Sequence, residues 1–280
     1  MPEAQKKDWS MKRILITGAA GRLGRVLRKG LAQPDRILRL LDVADLGDAA
    51  PNEELRIMDA TRIEALHREM DGVDVVLHLA AYPEEAGWER HFPLNYELTY
   101  AALEAARRAG VKRFVFASSV QAVGFHPLNE TIDHKARPRP SGFYGTSKVA
   151  GEALASVYAD KHGLSVACVR VASFEERPTD VRMLSTWLSH EDGIHLFDRC
   201  IEAPRHHYFV VYGISANTQS RMDNSHAEWL GYSPKDNAET YRDEVLRHGD
   251  KIGEVAARTQ GGGACEIRFD GHIEQALRAS

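Results

Sequence analysis

The feature that most limits how this chain can fold is its alternation of short, almost wholly apolar runs with amphipathic ones. MKRILITG (11–18), RILRLLD (36–42), VDVVLHLAA (73–81), VKRFVFASS (111–119) and LSVACVRVAS (164–173) read as buried strands. Between them, residues 22–32, 61–70, 94–109 and 144–162 read as helices. A strand that is apolar at successive positions must be covered on both faces, and the helices returning between strands supply that cover. The expectation is an α/β fold built on a doubly wound parallel sheet with right-handed crossovers. Ligands of such sheets lie beyond the carboxyl ends of the strands. After residue 173 the rhythm loosens. A helix over 188–202 and a strand over 207–215 are expected, then a mixture of helix and loop in NSHAEWLGYSPKDNAETY. GGG at 261–263 reads as a flexible turn.

Composition excludes several classes of function. The net charge is −4 with Arg and Lys scattered, so bulk attraction to nucleic acid or an anionic membrane is not expected. No apolar run is long enough to cross a bilayer. MPEAQKKDWS is too polar for a signal peptide, and the expected compartment is the cytoplasm. Cys168, Cys200 and Cys265 lie far apart without metal spacing and read as buried thiols of a reducing compartment. His126, His134, His190, His195, His206, His207 and His226 show no H-x-x-x-H on a helix, so no metal is expected.

TGAAGRLG places Gly18, Gly21 and Gly24 between the first strand and the first helix. The first glycine permits a tight turn, the second lets the backbone approach a diphosphate, and the third lets helix and strand pack closely. The amides opening the helix, at Arg22, Leu23 and Gly24, would then face the phosphates. Asp42 closes the second strand, where a carboxylate accepts ribose hydroxyls and repels a 2′-phosphate. This favours NAD over NADP. Asp45 competes for that role, and Arg22 and Arg39 are placed to meet a phosphate. Asp59 either bonds the adenine amino group or caps the helix beginning near Arg62.

FYGTSKVAGE puts Tyr144 and Lys148 four positions apart, on one face of a helix. A free phenol has a pKa of about 10, and a neighbouring ammonium favours its phenolate. That pairing suits proton abstraction from an alcohol, with Ser118 and Ser119 at the end of the preceding strand to hold the reacting oxygen. Trp88 and Trp187 serve either as walls of a sugar site or as core. RPRP at 137–140 reads as a loop lid.

TGAAGRLG, LLD, HLAA, FASSVQAVG and YGTSK, spanning residues 12–148, together resemble the extended, epimerase-like branch of the short-chain dehydrogenase/reductase superfamily. The resemblance implies a Rossmann fold, a nicotinamide cofactor, Tyr144 as base, Lys148 as its partner and Ser119 as the polarising hydroxyl. It also implies that Leu79, Ala80 and Ala81 line the cofactor and that Asn95 supports the site. RMLSTWLSHEDG (182–193) and the segment 210–239 resemble the uronate dehydrogenases, which oxidise C1 of a hexuronate such as galacturonate or glucuronate to an aldarolactone. That likeness implies Ser173 and Arg182 as substrate ligands, the arginine fork matching a carboxylate. Those enzymes usually carry Ser-Asn-His where this chain has Ser119-Val120-Gln121, and Ser-Val-Glu where it has Pro83-Glu84-Glu85. By this alignment two sugar-facing polar groups have become Pro83 and Val120. A lost hydrogen-bond partner in a closed sugar pocket costs on the order of 1–3 kcal/mol. A neutral aldose, a sugar phosphate or a nucleotide sugar undergoing epimerisation or dehydration are the alternative substrates.

Three segments follow: a disordered leader (1–10), a dinucleotide-binding core (11–173) and a small substrate-binding lobe interleaved with it (174–280). The expected partners are a sugar or sugar-acid substrate and, by analogy with relatives, further copies of the same chain.

Overall fold

The computed structural model describes residues 11–278; the expected leader lies outside the described residues. The elements run β1 (Lys12–Thr17), α1 (Arg22–Gly30), β2 (Arg36–Asp42), β3 (Glu53–Ile57), α2 (Ile63–Glu69) and β4 (Val75–His78). Then come α3 (Trp88–His91), a π-helical turn (Phe92–Glu97), α4 (Leu98–Arg108), β5 (Arg113–Ser119) and α5 (Phe143–His162). The chain continues through β6 (Ser165–Val171), β7 (Ser173–Phe174), α6 (Met183–Thr186), β8 (Trp187–Leu188), α7 (His190–Glu202) and β9 (Tyr208–Gly213). The last helices are α8 (Arg242–His248), α9 (Glu254–Arg258), α10 (Gly263–Glu266) and α11 (Ile273–Arg278).

Seven strands form one parallel sheet in the order β3-β2-β1-β4-β5-β6-β9. The doubly wound α/β architecture expected from the apolar runs is therefore the architecture present. Alternate residues of each strand feed opposite layers. Ile14 and Ile16 pack with Leu38, Leu40, Leu77 and Val169 under α1 and α7. Leu15 packs with Leu41, Val76, Phe114 and Phe116 under α2, α4 and α5. Both faces of the central strands are covered, whereas the edge strand β3 is partly exposed.

Strand order reverses between β1 and β4, and this opens the crevice where ligands sit. There the apolar run 73–81 leaves the sheet early. Leu79 N–H donates to Thr17 O (3.2 Å) and Ala80 N–H to Thr17 Oγ1 (3.3 Å), after which the chain turns across the sheet edge. The helix expected over 94–109 begins earlier, at Trp88, and passes through the π-helical turn before α4. The helix expected over 188–202 begins at His190, because Ser189 Oγ accepts from Asp192 N–H (3.0 Å) as its cap. Downstream, β9 returns to the sheet beside β6 while β7 and β8 pair separately.

Candidate functional site

Two adjoining cavities, of about 630 and 370 Å³, share Gly18, Gly21, Leu79 and Ala81 and together form one groove over the strand ends. The smaller is walled by Asp42, Asp59, Ala80 and Leu94. Gly18 has φ +72°, and a Cβ there would lie 2.7 Å from the Ala80 backbone; a Cβ at Gly24 would lie 2.3 Å from Gly18 O. Only hydrogen fits at either place, and the turn closes tightly enough to leave the first amides of α1 facing the groove. The cradle therefore fits a dinucleotide diphosphate.

Asp42 accepts from Ala20 N–H (2.9 Å) and Ala44 N–H (3.0 Å), which leaves lone pairs for ribose hydroxyls. Its competitor Asp45 turns to Gly47 N–H (3.0 Å). Asp59 accepts from the amide and hydroxyl of Thr61 (2.9 and 2.8 Å); it lines the groove and does not cap α2, whose N-cap is Arg62. Arg39 is buried and bonded to Glu54 and to the Glu69 and Asp71 carbonyls, so it cannot greet a 2′-phosphate.

The larger cavity is lined by Ser119, Tyr144, Lys148, Gln121, Phe174, Arg22, Leu23 and, from the far end of the chain, Ala264 and Ile267. Lys148 Nζ donates to Ala117 O (2.8 Å) and lies 5.4 Å from the centre of the Tyr144 ring. Burial pushes the Lys148 ammonium down to about 8, with Glu152 opposing. Burial pushes the Tyr144 phenol up to about 12, opposed by a hydrogen bond with Ser119 and by the charge of Arg22. The phenol is thus not acidified by the protein's own groups: desolvation outweighs the Ser119 hydrogen bond and the Arg22 charge. Ser119 Oγ also accepts from Gln121 N–H (3.2 Å) at the start of a 3-10 turn. Ser118 Oγ donates to Glu152 (2.6 Å), and Ser118 also lines the cavity.

Arg182 donates to Ser173 Oγ (2.9 Å), Thr186 Oγ1 (3.1 Å) and Gln260 O (3.0 Å), and has no carboxylate ion-pair partner among the described residues; neither Arg182 nor Ser173 lines the larger cavity. Gln121 Nε2 donates to Gly261 O (2.9 Å), while its buried Oε1 has no hydrogen-bond partner. Val120 corrects the sequence alignment. It is 3% exposed and packs among Val123, Ile132, Tyr212 and Met222, so its side chain does not reach a sugar. Trp187 is core, 2% exposed, and Trp88 packs at tilted and edge-on angles against Phe92, Tyr96 and Phe143, outside the cavity lining. The triglycine at 261–263 is not a loose turn: Gly261 and Gly262 are buried, and Gly261 N–H donates to Gly124 O (2.9 Å).

Sequence reasoning missed several supports. Glu85 accepts from Phe143 N–H (2.7 Å) and Tyr144 N–H (3.3 Å), capping the helix that carries the tyrosine. Buried Glu152 pairs with Arg170 through two bonds of 2.9 and 2.8 Å directly under Ser118. Asn95, expected to support the site, bonds Tyr82 N–H (2.8 Å) and Ser147 Oγ (3.0 Å), pinning the loop after β4 to α5.

A family described as "NAD dependent epimerase/dehydratase family" matches residues 14–188. A uronate dehydrogenase of Pseudomonas syringae pv. tomato is 41% identical over 88% of this chain and 90% of its own length. One from Agrobacterium fabrum is 43% identical over 84% and 89%. The crystal structure of a mutant uronate dehydrogenase from Agrobacterium tumefaciens complexed with NAD superposes with a TM-score of 0.87 at 41% identity, covering 91% of this chain and 97% of that one.

Proposed function

Because the chain belongs to the NAD dependent epimerase/dehydratase family, we propose that it oxidises the C1 hydroxyl of a hexuronate, such as galacturonate or glucuronate, to an aldarolactone. It is an NAD-dependent dehydrogenase acting on a CH–OH group. When bound, NAD supplies the acceptor for the hydride leaving C1. The glycine turn and first amides of α1 hold its diphosphate, Asp42 accepts its adenosine ribose hydroxyls, and Leu79, Ala80 and Ala81 form its bed. Ser119 holds the C1 oxygen. Tyr144 takes the hydroxyl proton as C1 becomes a carbonyl carbon, and Lys148 keeps positive charge beneath it. Arg182, set by Ser173, receives the uronate carboxylate, and Gln121 accepts from a ring hydroxyl. Proximity in the closed groove supplies much of the remaining rate.

The observation that carries this reading is the meeting of Tyr144, Ser119, Lys148 and the glycine turn on one cavity. The locked Arg39 supports NAD over NADP. We also place the enzyme in the cytoplasm, where its three free thiols suit a reducing medium, and as an oligomer through the exposed rings of Trp88, Phe92 and Tyr100. The test offers galacturonate, glucuronate and neutral aldoses with NAD and follows NADH absorbance. Tyr144→Phe should lower turnover by at least about 10²-fold while NAD affinity holds. Undiminished turnover in that variant would reject the mechanism.

A further inference from the structure

The glycine turn is tied to the opposite wall of the cleft by one ion pair, Arg22 with Glu175. Arg22 opens α1 immediately after Gly21, and its side chain lines the larger cavity. Glu175 follows β7, 153 positions away in sequence. The two partners differ in stiffness. Glu175 N–H donates to Leu188 O (3.3 Å), and its carbonyl accepts from Trp187 Nε1 (2.8 Å), an indole sealed in the core. The backbone that carries the carboxylate is therefore held in place, and the Glu175 side chain is about half as exposed as its partner's, at 31%. The Arg22 side chain is 68% exposed, a movable arm. Arg22 and Tyr144 line the same cavity, so the arm stands in the cleft that holds the reacting end.

We propose that Glu175 is a positioning residue for the cofactor, holding Arg22 as a strap across the cleft so that the guanidinium stands over the diphosphate and slows its departure. The proposal rests on the NAD-dependent reading above. A guanidinium has five donors in a flat fork; Glu175 engages one side, and the other remains for a phosphate oxygen. An exposed pair of this kind opens readily, so it delays release without blocking it.

The test measures NADH dissociation by stopped-flow displacement, using cofactor fluorescence, in the unsubstituted chain, Glu175→Gln, Arg22→Gln and the double variant. Each single variant should release NADH about three to ten times faster, with association nearly unchanged. The double variant should be no faster than the faster single, since either substitution removes the same interaction. Added salt should speed release from the unsubstituted chain more than from Glu175→Gln, a comparison that stands even if Arg22→Gln folds poorly. Release from Glu175→Gln at the parental rate or slower, or additive effects in the double variant, would overturn the strap alone. Failure of the unsubstituted chain to bind NADH would overturn the dehydrogenase reading and the strap with it.

Discussion

With Tyr144 held up at about 12 and Lys148 down at about 8, the working pair of phenolate beside ammonium is a minority protonation state of the free chain. Its population has a definite pH dependence. Below pH 8 Lys148 stays charged, and each unit of pH multiplies the phenolate roughly tenfold. Above pH 8 the gain in phenolate is cancelled by loss of the ammonium. The profile of kcat/KM should therefore climb roughly tenfold per unit to about pH 8 and then flatten. Lys148→Arg keeps its charge throughout, so in that variant the rise should continue past the break. Steady-state rates from pH 6 to 10 check this; a break that stays near pH 8 in the arginine variant would assign it to another group.

At the scale of the element, α5 depends on a cap that its own sequence lacks. Gly142 precedes the helix without a side chain to receive the first amides, and Glu85 reaches across from the loop after β4 to do so. A Cβ at Gly142 would lie 2.5 Å from that carboxyl carbon, so the glycine makes room for the cap. Glu85→Ala should cost about 1 kcal/mol of stability, concentrated in the turn that aims Tyr144. We expect kcat to fall about tenfold, and Glu85→Gln, which keeps an acceptor, to fall less. Thermal melting and kcat measured together check it: a kcat held at the parental value would limit Glu85 to fold stability. The apolar character of β1 and β5 was legible because burial on both faces leaves an apolar run, and α5 was legible as the amphipathic stretch between β5 and β6. The cap was not, because Glu85 and Phe143 are joined only by the tertiary fold. The early end of β4 was hidden for a similar reason: Leu79, Ala80 and Ala81 look like strand but are turned out where the strand order reverses. Val120 follows a serine at a strand end, and only the 3-10 turn after it sends its side chain inward.

Across the whole molecule, the glycine and tyrosine ends of the groove come from residues 18–148, while the other end of the cleft also draws on segments near the C-terminus. Residues 258–261 run antiparallel to 124–128, with Gln260 N–H on His126 O (3.0 Å) and Leu128 N–H on Arg258 O (2.9 Å). This brings Gln121 to Gly261, 140 positions away, and sets Gln260 O on Arg182. No local pattern encodes such a meeting, and a triglycine in isolation reads as slack chain. Its composition instead answers to space. Gly262 has φ +61°, and a Cβ there would sit 2.2 Å from Arg182 Nε. Gly262→Ala must strain the backbone and push the guanidinium from the place where Ser173 and Thr186 hold it. The dinucleotide half of the groove touches none of these atoms. KM for the uronate should therefore rise about tenfold or more in Gly262→Ala while the Kd for NAD stays at its parental value. Titration of NAD by fluorescence beside initial rates over a uronate series separates the two. Equal weakening of both ligands would mean that the C-terminal segment steadies the whole groove, whereas an unchanged uronate KM would show that Arg182 does not govern the sugar acid.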